Sequence, residues 1–251
     1  LTADRAVRLQ LHVDSPDGQG QRRIALHSRA EDGDDAAPWT AHATGMLSPD
    51  RSEAPPDPRL ATWPPAGAER LDLTGLYDRL AETGFGYGPA FQGLTEAFRT
   101  DDAVYGRVVL PDDIAEAAGD YGLHPALMDA ALHTLFAEGG LGDGVALPFA
   151  WSDVQLQATG ASELRVRLER SADTEPGTTV IGLTVSDATG QPVATVGGLQ
   201  VRAATVEQVR AGLSTGVRDL YRVAWQPVAL PEAAVDTSEG TISSSHIFLI
   251  T

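Results

Sequence analysis

The stretch His124–Glu138, which reads HPALMDAALHTLFAE, decides the fold class. Pro125 suits the first position of a helix, and apolar residues then follow on nearly every side of the helix that it begins. Two consecutive glycines, 139 and 140, end the pattern. A helix with so little polar surface is predicted to lie buried beneath other elements.

Short alternating segments surround this helix and predict an antiparallel sheet. Apolar and polar residues alternate in two segments before the helix and four after it: 94–99, 104–110, 151–157, 163–170, 178–186 and 193–201. A short helix is predicted earlier, where Leu73, Leu76, Tyr77 and Leu80 recur at helical spacing. A buried helix combined with an antiparallel meander is typical of the α+β class.

The first part of the chain predicts a separate strand meander. Segments 5–13, 22–28 and 39–47 alternate without a helix of their own, which leaves one apolar face of their sheet uncovered. We therefore expect elements of the same domain to precede residue 1. Residues 48–72 are rich in Pro, Ala and Asp and are predicted to form a linker that holds neither a helix nor a central strand.

Composition excludes several classes of function. The formal charge of −17 disfavours nucleic-acid binding, and the absence of Cys excludes disulfides, Cys-containing zinc sites and thiol nucleophiles. No stretch approaches the roughly 20 apolar residues of a membrane span, and the N-terminal residues lack a signal-peptide layout. We expect a cytoplasmic protein that binds neither membranes nor nucleic acids.

Asp129 and His133 form the best candidate for a reactive pair. Four residues apart on a helix, they share one face at about 100° per residue and can touch. Many solvent-exposed helices carry such pairs, so the spacing alone does not establish a site. The apolar residues around them favour burial, and a buried carboxyl can stay protonated and act as a general acid.

The turn at residues 85–89 is a second candidate. Tyr87 offers a phenolic hydroxyl and Gly88 a backbone N–H, and either could polarise a thioester carbonyl. Glycine-rich turns with an aromatic residue are also common as plain structure. The other histidines show no metal-ligand spacing: His124 and His133 are half a turn out of phase, and no loop matches a phosphate or dinucleotide fingerprint.

Three ordered motifs resemble the dehydratase domain of modular type I polyketide synthases. They are YGPAFQGL at Tyr87–Leu94, HPALMD at His124–Asp129 and LPF at Leu147–Phe149. The resemblance implies a double hot-dog fold of class α+β, in which each of two repeats wraps a sheet around a helix. Residues 1–47 would be the last strands of a partial first repeat, and residues 73–209 would be a complete second repeat.

The resemblance also implies roles for individual residues. Asp129 would be the acid that helps the 3-hydroxyl group depart, and His133 would orient that acid. The turn Tyr87–Gly88–Pro89 would bind the thioester side of the substrate, while Leu147, Pro148 and Phe149 would line the substrate tunnel. The implied enzyme is a hydro-lyase that converts a 3-hydroxyacyl thioester into a 2,3-unsaturated thioester, by syn or anti elimination.

One element of the family pattern is missing. The family uses a catalytic His in an HxxxGxxxxP motif of the first repeat, but the residues four positions after His12, His27, His42 and His124 are Pro, Glu, Met and Met. An acid without its base loses much of the roughly 10²- to 10⁴-fold that a proton-transfer partner contributes. We therefore expect this chain alone to be inactive.

A further resemblance concerns the C-terminal part. Asp219–Pro227, DLYRVAWQP, resembles the opening strand of the structural half of a ketoreductase domain. Residues 210–218 would then be a linker, and 219–251 would contain isolated strands of a truncated ketoreductase subdomain. The resemblance implies no metal and no cofactor beyond the phosphopantetheine arm of an acyl carrier protein. It implies as partners that carrier protein, the neighbouring synthase domains and a second copy in a homodimer.

Three alternatives compete with dehydration. A catalytically silent dehydratase-like domain could act as a scaffold of the synthase or bind acyl chains. Double-bond migration would reuse the histidine base but would not need Asp129 to protonate a leaving group. An unrelated α+β binding domain is disfavoured by three motifs in family order.

Overall fold

The computed structural model describes residues 6–31, 37–50, 54–139, 145–171 and 179–204. The strands fall into two antiparallel sheets, and short helices pack against the larger one, so the α+β prediction is confirmed. The expected linker at 210–218 and the expected strands at 219–251 lie outside the described residues. None of the helices in the described ranges is long and apolar enough to cross a membrane.

A three-stranded sheet forms from the first part of the chain. Its strands are β1 (Val7–Val13), β2 (Arg22–Ala30) and β3 (Thr40–Leu47), with β2 in the centre. The turn between β1 and β2 is held by Asp17, whose carboxylate accepts hydrogen bonds from the backbone N–H groups of Gln19 and Gln21. Leu9 and Leu11 are 63% and 64% exposed, which agrees with the expected uncovered face.

A seven-stranded sheet forms the body of the molecule in the order β4-β5-β6-β8-β9-β10-β7. Its strands are β4 (Glu69–Arg70), β5 (Leu94–Arg99), β6 (Val104–Val109), β7 (Val145–Leu156), β8 (Glu163–Arg170), β9 (Thr179–Ser186) and β10 (Pro192–Ala204). All pairings are antiparallel. The alternating segments predicted the central strands closely, but β7 begins six residues earlier than the predicted segment at 151.

The helices are short. They are α1 (Pro58–Ala61), α2 (Leu76–Glu82), α3 (Asp112–Ala115), α4 (Pro125–Leu132) and α5 (Thr134–Ala137), with 3₁₀ turns at Pro89–Phe91 and Glu116–Asp120. The single helix predicted over residues 125–138 is divided at His133, whose N–H donates to the carbonyl of Ala130, three residues back. Helices α4 and α5 pack against β6, and their buried residues share one core with β8, β9 and β10.

The expectation that residues 48–72 form a linker without a helix is wrong for α1, whereas β4 is an edge strand and is compatible with the expectation of no central strand. Helix α1 begins with Pro58 at its first turn, where proline fits, and the carboxylate of Asp57 accepts from the N–H of Arg59. Leu60 is fully buried in a second small core with Phe98 and Tyr105. The segment therefore packs onto the sheet through α1 and the edge strand β4.

Candidate active site

The start of α4 is fixed by its own sequence. His124 is the N-cap residue, and its Nδ1 atom accepts a hydrogen bond from the N–H of Ala126 at 3.2 Å. Pro125 follows at the first helical position. The buried face of the helix consists of Ala126, Leu127, Ala130 and Ala131, and it sets the rotation of the helix on the sheet. This rotation leaves Asp129 and His133 beside a cavity.

Asp129 and His133 are in contact, as their spacing predicted. The Nε2 atom of His133 lies 3.4 Å from Oδ2 of Asp129. The His133 side chain is only 1% exposed, whereas the Asp129 side chain is 39% exposed. The expectation of a carboxyl shielded from water is therefore wrong for Asp129, because its face of the helix borders an open cavity. The buried member of the pair is His133.

A cavity of about 250 Å³ lies beside this pair. Three of its wall residues carry polar groups, namely Tyr87, Asp129 and His133. The remaining wall is apolar and comes from the helices, from β7 and β10, and from the turn before the 3₁₀ segment: Phe85, Leu132, Leu135, Phe136, Leu147, Pro148, Leu199 and Val201. An apolar pocket with a few convergent polar groups is the usual form of a small-molecule site.

Tyr87 lies directly over the His133 ring. The two ring centres are 4.1 Å apart, and the Tyr87 ring also stacks on Phe85 at 6.0 Å. Burial and, second, the charge of Asp129 raise the pKa of Tyr87 to about 12. The phenol is therefore protonated at neutral pH and can donate a hydrogen bond into the cavity.

The other predicted binding residues are divided between the cavity and its surroundings. Leu147 and Pro148 line the cavity, but Phe149 is not part of its wall and is 56% exposed. Val201 pairs with Pro148 and Gln200 with Ala150, so Phe149 is the extra residue of a β-bulge and the regular alternation of side chains is interrupted there. Gly88 and Pro89 also lie outside the wall; the carbonyl of Gly88 accepts from the N–H of Phe91 and shapes the 3₁₀ turn.

Tyr77 also belongs to the site, although its spacing with the leucines of α2 predicts only an apolar helical face. The Tyr77 hydroxyl lies 3.2 Å from Nδ1 of His133 and accepts from the backbone N–H of Leu94 at 3.1 Å. Burial raises the pKa of this phenol as well. The tyrosine hydroxyl itself could have indicated this role, because a hydroxyl on a helix face that packs into the core needs a polar partner and the leucines of the same face do not.

Comparisons with known proteins identify the family. Residues 55–211 match the family described as the polyketide synthase dehydratase N-terminal domain. The polyketide synthase GfsE of Streptomyces halstedii is 45% identical over 240 residues, and the mycoketide-CoA synthase of Mycobacterium tuberculosis is 39% identical over 242 residues. These alignments cover 93% and 94% of this chain, but the chain spans only 6% of the length of either synthase.

Solved structures agree with that match. A bifunctional dehydratase-cyclase domain from ambruticin biosynthesis is 44% identical, with a TM-score of 0.71, over 82% of this chain and 72% of that domain. The erythromycin dehydratase is 39% identical, with a TM-score of 0.64, over 77% of this chain and 66% of that structure. Both sequence and fold therefore place the chain in the dehydratase family of modular type I polyketide synthases.

Proposed function

We propose that this chain contributes the acid side of a dehydratase site that removes water from a 3-hydroxyacyl thioester. A base takes the proton from C2, its electron pair becomes the C2–C3 double bond, and the C3–O bond breaks as the hydroxyl accepts a proton and leaves as water. The observation that carries the proposal is Asp129 at an apolar cavity, beside a buried His133, in a chain of the dehydratase family.

Asp129 is the proposed proton donor to the leaving hydroxyl. Its 39% exposure leaves the carboxyl group accessible to substrate, and an acyl chain that fills the cavity would replace the water next to it. A carboxylic acid placed next to a leaving hydroxyl can act in this way as a general acid. His133, held at 3.4 Å, orients the carboxyl group.

Tyr87 and Gly88 are proposed to bind the thioester carbonyl. The phenol remains protonated at neutral pH and lies at the same cavity as Asp129. A donor to that oxygen stabilises the negative charge that develops there as the C2 proton leaves. Leu147, Pro148 and Phe149 are proposed to form the apolar path of the acyl chain, with Phe149 at its solvent-exposed end.

We propose that the base is a histidine in the HxxxGxxxxP motif of the family. No histidine of this chain stands in that motif. None of His12, His27, His42 and His124 is followed by Gly four residues later. We propose that residues 73–209 form the second repeat of a double hot-dog fold and that residues 1–47 belong to a first repeat, which would carry the base. The 251-residue chain alone would then be inactive.

The proposed substrate is tethered to the phosphopantetheine arm of an acyl carrier protein. Elimination of water neither consumes nor releases electrons, so the reaction calls for no redox cofactor. The chain spans a small part of long synthases, which supports neighbouring catalytic domains as partners, including a ketoreductase that would make the 3-hydroxyl group. A homodimeric synthase is proposed on the same family basis.

The test is the substitution Asp129→Asn in the synthase polypeptide that carries this sequence. Asparagine keeps the shape of the side chain but cannot supply the proton, so dehydration of a model 3-hydroxyacyl thioester should fall by roughly 10²- to 10⁴-fold. Mass spectrometry follows the loss of water. Asp153→Asn, an exposed substitution on β7, is the matched control. Unchanged turnover in Asp129→Asn would reject the assignment of the acid.

A second candidate is a silent dehydratase-like domain that binds acyl chains without turnover. It is favoured by one observation, the lack of a family-type base histidine in this sequence. The same assay separates the candidates, because a silent domain binds the acyl thioester but forms no unsaturated product, even in the full synthase polypeptide.

A further inference from the structure

The Tyr77 hydroxyl bridges the backbone of β5 and the ring of His133. It lies 3.1 Å from the backbone nitrogen of Leu94 and 3.2 Å from Nδ1 of His133. Tyr77 is on α2, so the bridge joins α2, β5 and the α4–α5 junction at one partly buried point. The two rings also meet edge to face, with centres 5.5 Å apart.

The direction of these hydrogen bonds follows from their chemistry. A backbone N–H only donates, so the Tyr77 oxygen accepts from Leu94 and has its own proton left to donate. Donation to His133 requires Nδ1 to be the bare nitrogen of the neutral ring. The ring proton is then on Nε2, the atom that lies 3.4 Å from Oδ2 of Asp129.

The opposite tautomer is disfavoured by the same geometry. With the proton on Nδ1, the bare Nε2 would face Asp129 as an acceptor. It would then compete with the substrate hydroxyl for the proton of the acid, or would lie beside a second acceptor if the acid had lost that proton. The Tyr77 proton would at the same time lose its ring partner in a half-buried position. Among the described residues, Nε2 of His133 makes no hydrogen bond of ordinary geometry, and Oδ2 of Asp129 lies 3.4 Å away as a charged or polar neighbour of this nitrogen.

We infer that Tyr77 is a positioning residue that fixes the His133 tautomer and thereby keeps an Nε2–H group, rather than a bare nitrogen, beside Oδ2 of Asp129. This inference rests on the proposed dehydratase function and adds a residue to it. An Nε2–H donor beside Asp129 favours one orientation of the carboxyl group at the cavity wall. Tyr77 touches no substrate in this arrangement and acts through His133.

The first test reads the tautomer without any catalysis. In the 251-residue chain labelled with ¹⁵N-histidine, the two ring nitrogens of neutral His133 give separate NMR signals, one protonated and one bare. Tyr77→Phe should move both signals toward a mixture of tautomers, whereas Tyr87→Phe, which removes a hydroxyl above the same ring, should leave the Nε2–H form intact. Identical His133 signals in wild type and Tyr77→Phe overturn the inference.

The second test uses turnover in the synthase polypeptide. Tyr77→Phe should lower kcat by roughly 10- to 100-fold with a change in KM of less than about threefold, because positioning of the acid is lost while the cavity is kept. Tyr121→Phe, an exposed tyrosine beside His124, is the control that should retain activity. In a His133→Ala background, Tyr77→Phe should cause no further loss of kcat.

Outcomes separate this inference from the proposed function. A wild-type synthase that forms no unsaturated product rejects the proposed function, while the tautomer measurement still stands. A wild type that dehydrates, combined with additive losses for Tyr77→Phe and His133→Ala, rejects Tyr77 as a residue that acts through His133. If Tyr77→Phe does not fold, 3-fluorotyrosine at position 77 retains the bridge with a more acidic donor, and an unmoved Nδ1 signal overturns the inference.

Discussion

The side chains at the cavity differ in their contact with water, and this difference assigns their roles. His133 is buried at 1% exposure and is held by neighbouring rings, so it suits a fixed orienting group. Asp129 is 39% exposed and can meet a substrate. Tyr87 is half-buried, and its raised pKa keeps it a hydrogen-bond donor.

The pH dependence of stability should report the Tyr87 environment. The unfolded chain loses this phenolic proton near an ordinary pKa of about 10, whereas the folded chain holds it to about 12. The folded state therefore binds more protons between these values, and stability falls as pH rises through that window. Denaturant unfolding at several pH values should show that the free energy of unfolding falls less steeply with pH in Tyr87→Phe than in wild type. Equal slopes would contradict the burial of this phenol.

At the scale of elements, the contact between α5 and β6 depends on a glycine. A Cβ atom at Gly106 would lie 2.1 Å from Oγ1 and 3.1 Å from Cγ2 of Thr134, a fully buried residue. Glycine in a strand interior often marks such a close approach. The site depends on this contact because Thr134 directly follows His133.

Gly106→Ala should therefore destabilise the fold by about 1–3 kcal/mol through overpacking. Gly182→Ala in β9 is the matched control, since its Cβ atom would meet its nearest neighbours at ordinary distances of 3.9 and 4.0 Å. Adding Thr134→Ala should recover much of the loss by removing the clashing atoms. Equal unfolding free energies for the two glycine variants would show that α5 does not lie this close to β6.

The segment before β4 is fixed to the sheet by a buried charge. Asp57 caps α1 and also lies 3.4 Å from the guanidinium of Arg167 in β8, which is 3% exposed. Arg167 also contacts Glu169. A buried cation with two carboxylate partners is a common way to anchor a surface segment, and loss of one partner leaves the charge undercompensated.

Asp57→Ala should lower the unfolding free energy by about 2–4 kcal/mol, from loss of the cap and of the buried pair. Asp72→Ala is the control, because Asp72 makes the same kind of hydrogen bond, to the N–H of Thr74, without a buried cation. Its loss should be clearly smaller. Equal losses in the two variants would mean that Arg167 does not depend on Asp57.

The sequence predicted elements well where a single period dominates. Alternation located β5, β6, β8 and β9 because each is a strand bounded by turns whose apolar residues lie in the core. The first half of β7 does not alternate, so its start was missed. The proline-rich composition of residues 48–72 does not predict the helix at Pro58, because proline breaks a helix in its interior but fits its first turn.

The site was predicted in part. Helical spacing predicts the contact between Asp129 and His133 that the structure has. The motif residues Tyr87, Leu147 and Pro148 line the same cavity. The exposure of Asp129 could not be predicted from the helix alone, because it depends on the position of the cavity between the helix and strands β7 and β10. The bridge from Tyr77 joins residues 56 positions apart, so no local pattern could predict it.

In the whole molecule, we expect the acid, Asp129, and the histidine base to lie on different parts of the synthase polypeptide. The isolated 251-residue chain should form unsaturated product at least roughly 10²-fold more slowly than the synthase polypeptide that carries it, because one proton-transfer partner is missing. Parallel mass-spectrometric assays with the same 3-hydroxyacyl thioester compare the two. Comparable rates would show that a histidine of this chain serves as the base.

The central claim is that the substrate hydroxyl meets residue 129 inside the apolar cavity. A crystal structure of the synthase dehydratase region carrying Asp129→Asn, with a 3-hydroxyacyl pantetheine thioester bound, measures this contact directly. We expect the 3-hydroxyl oxygen within hydrogen-bond distance of the residue 129 side chain and the acyl chain against Leu199 and Val201. An acyl chain bound elsewhere, or a 3-hydroxyl group directed away from residue 129, would contradict it.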